Sequence, residues 1–214
     1  MTIRAVTFDA AGTLIAPFPS VGAVYAELAQ AHGLDRSTIE LQAAFGPAFR
    51  AVQQRWGVPY GADDEDARRF WIEVITGTFG EPLSYELMMD LYDTFAEAHR
   101  WRVLPGAREA LVWCRLHNLR TAVVSNFDCR LLPLLKALDL NVDTVVTSTM
   151  VGRAKPDPTP LRTAADRLEV ALSDVLHVGD SATEDGGMCA ALGVRFLLVD
   201  GMIPPLESHV KAAS

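Results

Sequence analysis

From Pro105-Gly106 onward the chain alternates short β-rich apolar runs with longer stretches of helical spacing, and this rhythm restricts the fold more than any other feature. Helical patterns at 107–117, 129–138, 159–168 and through 188–192 precede the runs Thr121-Ala122-Val123-Val124, Thr144-Val145-Val146-Thr147, Val175-Leu176-His177-Val178 and Val194-Arg195-Phe196-Leu197-Leu198-Val199. Strands separated by one helix each pair in parallel, because the helix carries the chain back across the sheet before the next strand begins. A further apolar run, Ile3-Arg4-Ala5-Val6-Thr7-Phe8, opens the chain and stops at Asp9. The expectation is an α/β protein built on a parallel sheet with helices on its faces.

The first strand is not followed by one crossover helix. Residues 16–103 show only helical patterns, at 21–32, 37–56, 64–79 and 84–99, with Gly33, Gly57 and Gly80 as stops after the first three. No convincing strand is read there, so the segment is an insertion expected to form a small antiparallel bundle. Its aromatic residues Trp56, Phe70, Trp71, Phe79, Tyr92 and Phe95 read as the core of that bundle. The junctions near Ala16-Pro17 and at 102–104 are where hinges would lie if the insertion moves.

Composition excludes several functions. Half of the 214 residues are hydrophobic and the formal net charge is −8, with a pI near 5.1. Such a chain suits a packed globular domain and attracts neither nucleic acid nor an anionic membrane. Asp9 interrupts any signal-peptide core, and no apolar run approaches the roughly eighteen residues of a membrane span. The three cysteines, Cys114, Cys129 and Cys189, stand at no metal-ligand spacing and read as thiols of a reducing compartment, so a cytoplasmic location is expected.

The polar residues that end the strands suggest chemistry. Asp9, Ser125 with Asn126, and Asp180 each follow a β-rich run directly, and parallel strands would gather them along one sheet edge, where ligands of open α/β sheets bind. Taken alone, Asp9 reads equally as a loop aspartate capping the next helix. Lys155 lies in the turn-rich Gly152-Arg153-Ala154-Lys155-Pro156-Asp157-Pro158. A nucleophilic carboxylate, a hydroxyl, a cation and further acids fit phosphoryl transfer, and the acids imply Mg²⁺. His177, inside a strand, reads as a packed, hydrogen-bonded core histidine.

These residues fall into four ordered motifs: Phe8-Asp9-Ala10-Ala11-Gly12-Thr13-Leu14, Val124-Ser125-Asn126, Lys155-Pro156, and Val178-Gly179-Asp180-Ser181 with Asp185 five residues beyond Asp180. In this the sequence resembles the haloacid dehalogenase-like (HAD) hydrolase superfamily of the helical-cap type. The runs Ser125-Asn126-Phe127-Asp128 and Leu176-His177-Val178-Gly179-Asp180-Ser181 resemble the subgroup known as HAD-like hydrolase domain-containing proteins. The resemblance implies a Rossmann-like, doubly wound parallel sheet, residues 1–15 and 104–214, with an inserted all-helical cap at 16–103. It implies a Mg²⁺-dependent hydrolase of a small phosphorylated compound, with Asp9 as nucleophile and Lys155 pairing with Asp9 and the phosphoryl group. Ser125 and the backbone N–H of Asn126 would hold phosphoryl oxygens, Thr13 would orient the loop, and Asp9, the Ala11 carbonyl and Asp180 would hold the metal with Asp185 in support.

Ala11 departs from the pattern of HAD phosphatases, which carry a second aspartate there as general acid and base. Help of that kind is worth about 10²–10⁴-fold, so weakened turnover is expected. Three alternatives follow. A phosphonatase would need a cap lysine, but the lysines are Lys136, Lys155 and Lys211, all outside the cap. A dehalogenase would place a tyrosine at position 11 and lack Gly179-Asp180. A phosphate- or partner-binding protein with little turnover would tolerate alanine.

Overall fold

The computed structural model describes residues 2–56 and 60–210, so the helix stop expected at Gly57, and Lys211, lie outside the described residues. In chain order the elements are β1 (Ala5–Phe8), β2 (Ile15–Pro17), α1 (Val21–Ala31), α2 (Thr38–Trp56), α3 (Asp64–Phe79) and α4 (Tyr85–Asp93). After two 3₁₀ turns come β3 (Trp101–Val103), α5 (Ala107–Leu116), β4 (Arg120–Ser125), α6 (Leu131–Ala137), β5 (Thr144–Thr147) and α7 (Ser148–Val151). The chain continues with α8 (Thr159–Leu168), β6 (Val175–Gly179), α9 (Asp185–Leu192), β7 (Arg195–Leu198) and α10 (Glu207–Val210).

Five strands form one parallel sheet in the order β5-β4-β1-β6-β7. The chain builds outward from β1 through β4 to β5, then returns to the other side of β1 for β6 and β7. This reversal opens a crevice at the carboxyl ends of β1, β4 and β6. The sheet is apolar on both faces, as a helix-covered parallel sheet must be. Val6, Phe8, Val123, Leu176 and Val178 share one cluster with Leu111 and Ala110 of α5 and Leu131, Leu134 and Leu135 of α6. Ala5, Ala122, Val124, Val146 and Val175 pack on the other side against Leu161, Ala164 and Leu168 of α8 and Met188 and Cys189 of α9.

The helices α1–α4 bury their own apolar faces around Tyr25, Leu41, Ile75 and Leu91, and around Val52, Phe70 and Val74. Ser20, Asp63 and Ser84 cap α1, α3 and α4 by accepting backbone N–H bonds, and Gly80 closes α3 in the left-handed region at φ 71°. None of the described helices is long and apolar enough to cross a membrane.

The structure corrects the sequence reading at the edges of the insertion. Residues 15–17 and 101–103, expected to carry no strand beyond residue 15, pair as an antiparallel ribbon joining the helices to the sheet. Three-residue strands are too short to show a period of two, and Pro17 is tolerated because each strand of the ribbon is paired on one side only. The helix expected at 84–99 ends at Asp93 and continues as two 3₁₀ turns. That break brings the Trp101 indole N–H to the Phe95 carbonyl at 3.0 Å. The four-residue α7 and α10 had no readable period.

Candidate active site

The apolar content of β1 buries the strand completely and leaves Asp9 at its tip, 6% exposed. A buried carboxylate requires a partner, and Asp9 has one: Lys155 Nζ donates to its Oδ1 at 2.7 Å. The same ammonium donates to Asp185 Oδ1 at 2.6 Å, and Lys155 is itself only 2% exposed. Burial works against the charge on Lys155, but Asp9 and Asp185 outweigh it and hold its pKa above the ordinary lysine value. Lys155 is therefore a fixed cation between two carboxylates.

Behind Asp185 the chain of partners continues into the sheet. Thr7 and His177 occupy paired positions on β1 and β6, facing α9. Thr7 Oγ1 lies 2.8 Å from His177 Nδ1, and His177 Nε2 lies 2.9 Å from Asp185 Oδ1. The backbone N–H of Ser181 donates to Asp185 Oδ2 at 3.1 Å. Burial pushes the Asp185 pKa up, yet the His177 bond and the Lys155 charge prevail and hold it at about 2. The Asp185 carboxylate also lies on Gly179, where a Cβ would come within 2.4 Å of it.

Asp180 follows β6 directly and is exposed. Thr13 donates to its Oδ1 at 3.3 Å. Gly12, at φ 94°, lets the turn after β1 pass close to this carboxylate, for a Cβ there would stand 2.3 Å from Asp180 Oδ2. Burial, then the charges of Asp9 and Asp185, raise the Asp180 pKa to about 6. One oxygen from each of Asp9, Asp180 and Asp185 can be chosen so that all three lie within 4.8 Å of one another. Such a set of hard carboxylate oxygens suits a small divalent cation, and the like-charge repulsion felt by Asp180 is what a cation would relieve.

The third sequence motif meets the second through Asn126. Its Nδ2 donates to the Lys155 carbonyl at 3.1 Å while its Oδ1 accepts the Lys155 backbone N–H at 2.7 Å, so the amide clamps the loop that presents the lysine. Ser125, 3% exposed, sits beside it at the end of β4. The structure thus brings Asp9, Thr13, Ser125, Asn126, Lys155, Asp180 and Asp185 to one sheet edge, with Ala11 in the turn between them.

Sequence reasoning missed two groups. Glu184 accepts from Asn126 Nδ2 at 3.2 Å and from Gln53 Nε2 of α2 at 3.2 Å, linking the helical layer to the sheet edge. Asp128, buried in the loop after β4, accepts from Arg130 Nε and Nη2 at 2.9 and 2.7 Å. The Arg130 guanidinium also donates to the Tyr92 carbonyl at 2.6 Å and lies 3.8 Å from the centre of the Tyr92 ring. A charged residue two places from another in a loop gives no pattern by which this pairing could be read.

Above the acids, between α1–α4 and the strand ends, is a cavity of about 250 Å³. Trp71, Tyr92 and Phe95, expected only as bundle core, line it together with Tyr25, Phe45 and Phe49, whereas Phe70 is fully buried behind them.

A family model described as haloacid dehalogenase-like hydrolase matches residues 3–193. The chain is 37% identical to the mouse haloacid dehalogenase-like hydrolase domain-containing protein 3 over 99% of its length and 87% of that protein's. It is 30% identical to a phosphoglycolate phosphatase of Nitrosospira multiformis over 86% of its length and 78% of the relative's. Its fold superposes on the defluorinating L-2-haloacid dehalogenase Rha0230 with a TM-score of 0.76 at 17% identity, covering 99% of this chain and 85% of that one. The ordered motifs, the sheet edge they occupy and these matches together establish that the chain belongs to the haloacid dehalogenase-like hydrolases.

Proposed function

We propose that this hydrolase is of the phosphatase type and acts on a small phosphomonoester. The observation that carries the reading is the Lys155 ammonium held 2.7 Å from Asp9 with Asp185 behind it, which sets a positive charge against the Asp9 carboxylate and so lowers its repulsion toward an approaching phosphoryl group. In this reading an Asp9 oxygen bonds to phosphorus as the ester P–O bond breaks, and the alkoxide leaves with a proton taken from water. Water then attacks the aspartyl-phosphate and releases inorganic phosphate. Ser125 and the Asn126 N–H hold the phosphoryl oxygens, and Thr13 steadies Asp180.

Asp9, Asp180 and the Ala11 carbonyl would hold Mg²⁺, with Asp185 in support because its oxygens are already engaged by Lys155, His177 and Ser181. Bound there, Mg²⁺ would supply charge neutralisation between the carboxylates and the phosphoryl oxygens. We assign residues 1–15 and 104–214 to the catalytic core and 16–103 to the cap. Ala11 brings no carboxyl to the leaving oxygen, so esters of poor leaving groups should turn over slowly. The same alanine favours, as a second reading, a phosphate-binding protein with little turnover.

The test is phosphate release from an aryl phosphate, which needs little acid help, by the wild type and Asp9→Asn with Mg²⁺. Release by the wild type, abolished in a variant of unchanged Tm, is expected. Equal activity in the two proteins would refute Asp9 as nucleophile, and no release by the wild type would leave the binding reading.

A further inference from the structure

The cavity over the acids allows a statement about what is esterified. Its floor includes Ala11, two residues beyond Asp9, and Asn126, which clamps the Lys155 loop; its walls include Phe49, Tyr60, Trp71 and Phe95. Ala11 lies in the turn between Asp9 and Thr13, and Asn126 follows Ser125 at the end of β4, so the chamber floor is built by the same two segments that carry Asp9 and Ser125. The chamber and the acid cluster are therefore neighbouring parts of one site.

Apart from the hydroxyl and indole N–H groups carried on its aromatic rings, the polar groups of this chamber are few and committed. Among the described residues no carboxylate lines it, and Arg130 is its one cation. That guanidinium is engaged by Asp128, by the Tyr92 carbonyl and by the Tyr92 ring, so its charge is cancelled before any ligand arrives. Asn126 is engaged by Lys155 and Glu184. A sugar, a polyol or a second anionic group would exchange water for aromatic carbon, at a cost of roughly 1–3 kcal/mol for each polar group left unpaired. An apolar ring would gain by the same exchange and would stack on the ring faces. The size is right as well, since a cavity of about 150 Å³ is enough for benzene and this one is about 250 Å³. Ala11 fits the same pattern, because a carboxylate at that position would put a charge on the chamber floor.

We infer that the substrate is a phosphomonoester whose alcohol carries a single aromatic ring, or an apolar group of that size, seated in the chamber formed by Phe49, Tyr60, Trp71 and Phe95. The inference rests on the phosphatase-type reading above and names its substrate class.

The test must separate ring binding from leaving-group ability. Ethyl phosphate and 2-phenylethyl phosphate both release primary alkoxides, so their kcat/KM ratio reads the ring alone; glycerol phosphate adds a polar comparison. Burial of a ring predicts a ratio of about 30-fold or more in favour of the phenylethyl ester, with glycerol phosphate lowest. In parallel, benzylphosphonate and methylphosphonate are titrated by thermal shift with Mg²⁺, which needs no turnover and predicts a similar ratio of affinities. Phe49→Ala should narrow both ratios several-fold. Ratios within threefold of unity, a preference for glycerol phosphate, or ratios unmoved by Phe49→Ala would overturn the assignment. If no ester is hydrolysed while benzylphosphonate still binds about 30-fold tighter, the phosphatase reading fails and the chamber stands. If esters are hydrolysed without ring preference, only the chamber assignment fails.

Discussion

Asp180→Asn should make the metal-free protein more stable and the Mg²⁺-bearing protein less so. The carboxylate oxygens of Asp9 and Asp180 lie within 4.8 Å, where Coulomb repulsion is about 1 kcal/mol in water and about 3.5 kcal/mol at an effective dielectric of 20. Asp180 is exposed and Lys155 offsets part of the Asp9 charge, so a relief of about 1–2 kcal/mol is expected. For a chain of this length that is about 2–8 °C in Tm. The amide oxygen still accepts from Thr13, so no bond need be lost. The sign with pH follows from the raised pKa of about 6 for Asp180. Well below the ordinary aspartate value both states bind the proton and the advantage of Asn vanishes; it grows as pH rises from about 4 to about 6 and is nearly complete above that. If Mg²⁺ binds as proposed, added Mg²⁺ should stabilise the wild type with the logarithm of its concentration above Kd, whereas the variant, lacking one charged ligand, should gain little. Thermal unfolding of both proteins between about pH 4 and pH 7.5, in EDTA and in millimolar Mg²⁺, measures all of this. A variant less stable than the wild type in EDTA at neutral pH, or an advantage that does not change with pH, would refute the reasoning.

Ala11→Asp should raise kcat/KM for alkyl phosphates more than for aryl phosphates, by well under the 10²–10⁴-fold ceiling of acid–base help, since aryloxides depart without a proton; steady-state kinetics on one ester of each kind decide it. Arg130→Met leaves the buried Asp128 carboxylate without its counter-charge and should cost about 3–5 kcal/mol, read as a loss of about 6–20 °C in Tm. Gly12→Ala drives a Cβ to within 2.3 Å of Asp180 Oδ2 at a φ of 94°, so both Tm and the stabilisation by Mg²⁺ should fall; calorimetry with and without the ion reports the two losses separately.

The sequence alone determined the parallel sheet and the edge on which chemistry would gather. Each strand is a local apolar run, and Asp9, Ser125 and Asp180 follow their runs directly, so their placement needs only the strand order. Lys155 was legible as a motif residue but not as a buried one, because its burial depends on Asp9 and Asp185 arriving from distant parts of the chain. His177 was readable as a bonded core histidine, yet its partners Thr7 and Asp185 follow from strand register and from α9 folding back over β6. Only the tertiary structure decided the ribbon of β2 and β3, the break after Asp93, the clamp of Asn126 on Lys155 and the link from Gln53 to Glu184. It alone separated Phe70, which fills the helical core, from the adjacent Trp71, which faces the chamber. Helical periodicity marks which side of a helix avoids water, and an apolar side packed against a neighbour carries the same pattern as one that walls a cavity.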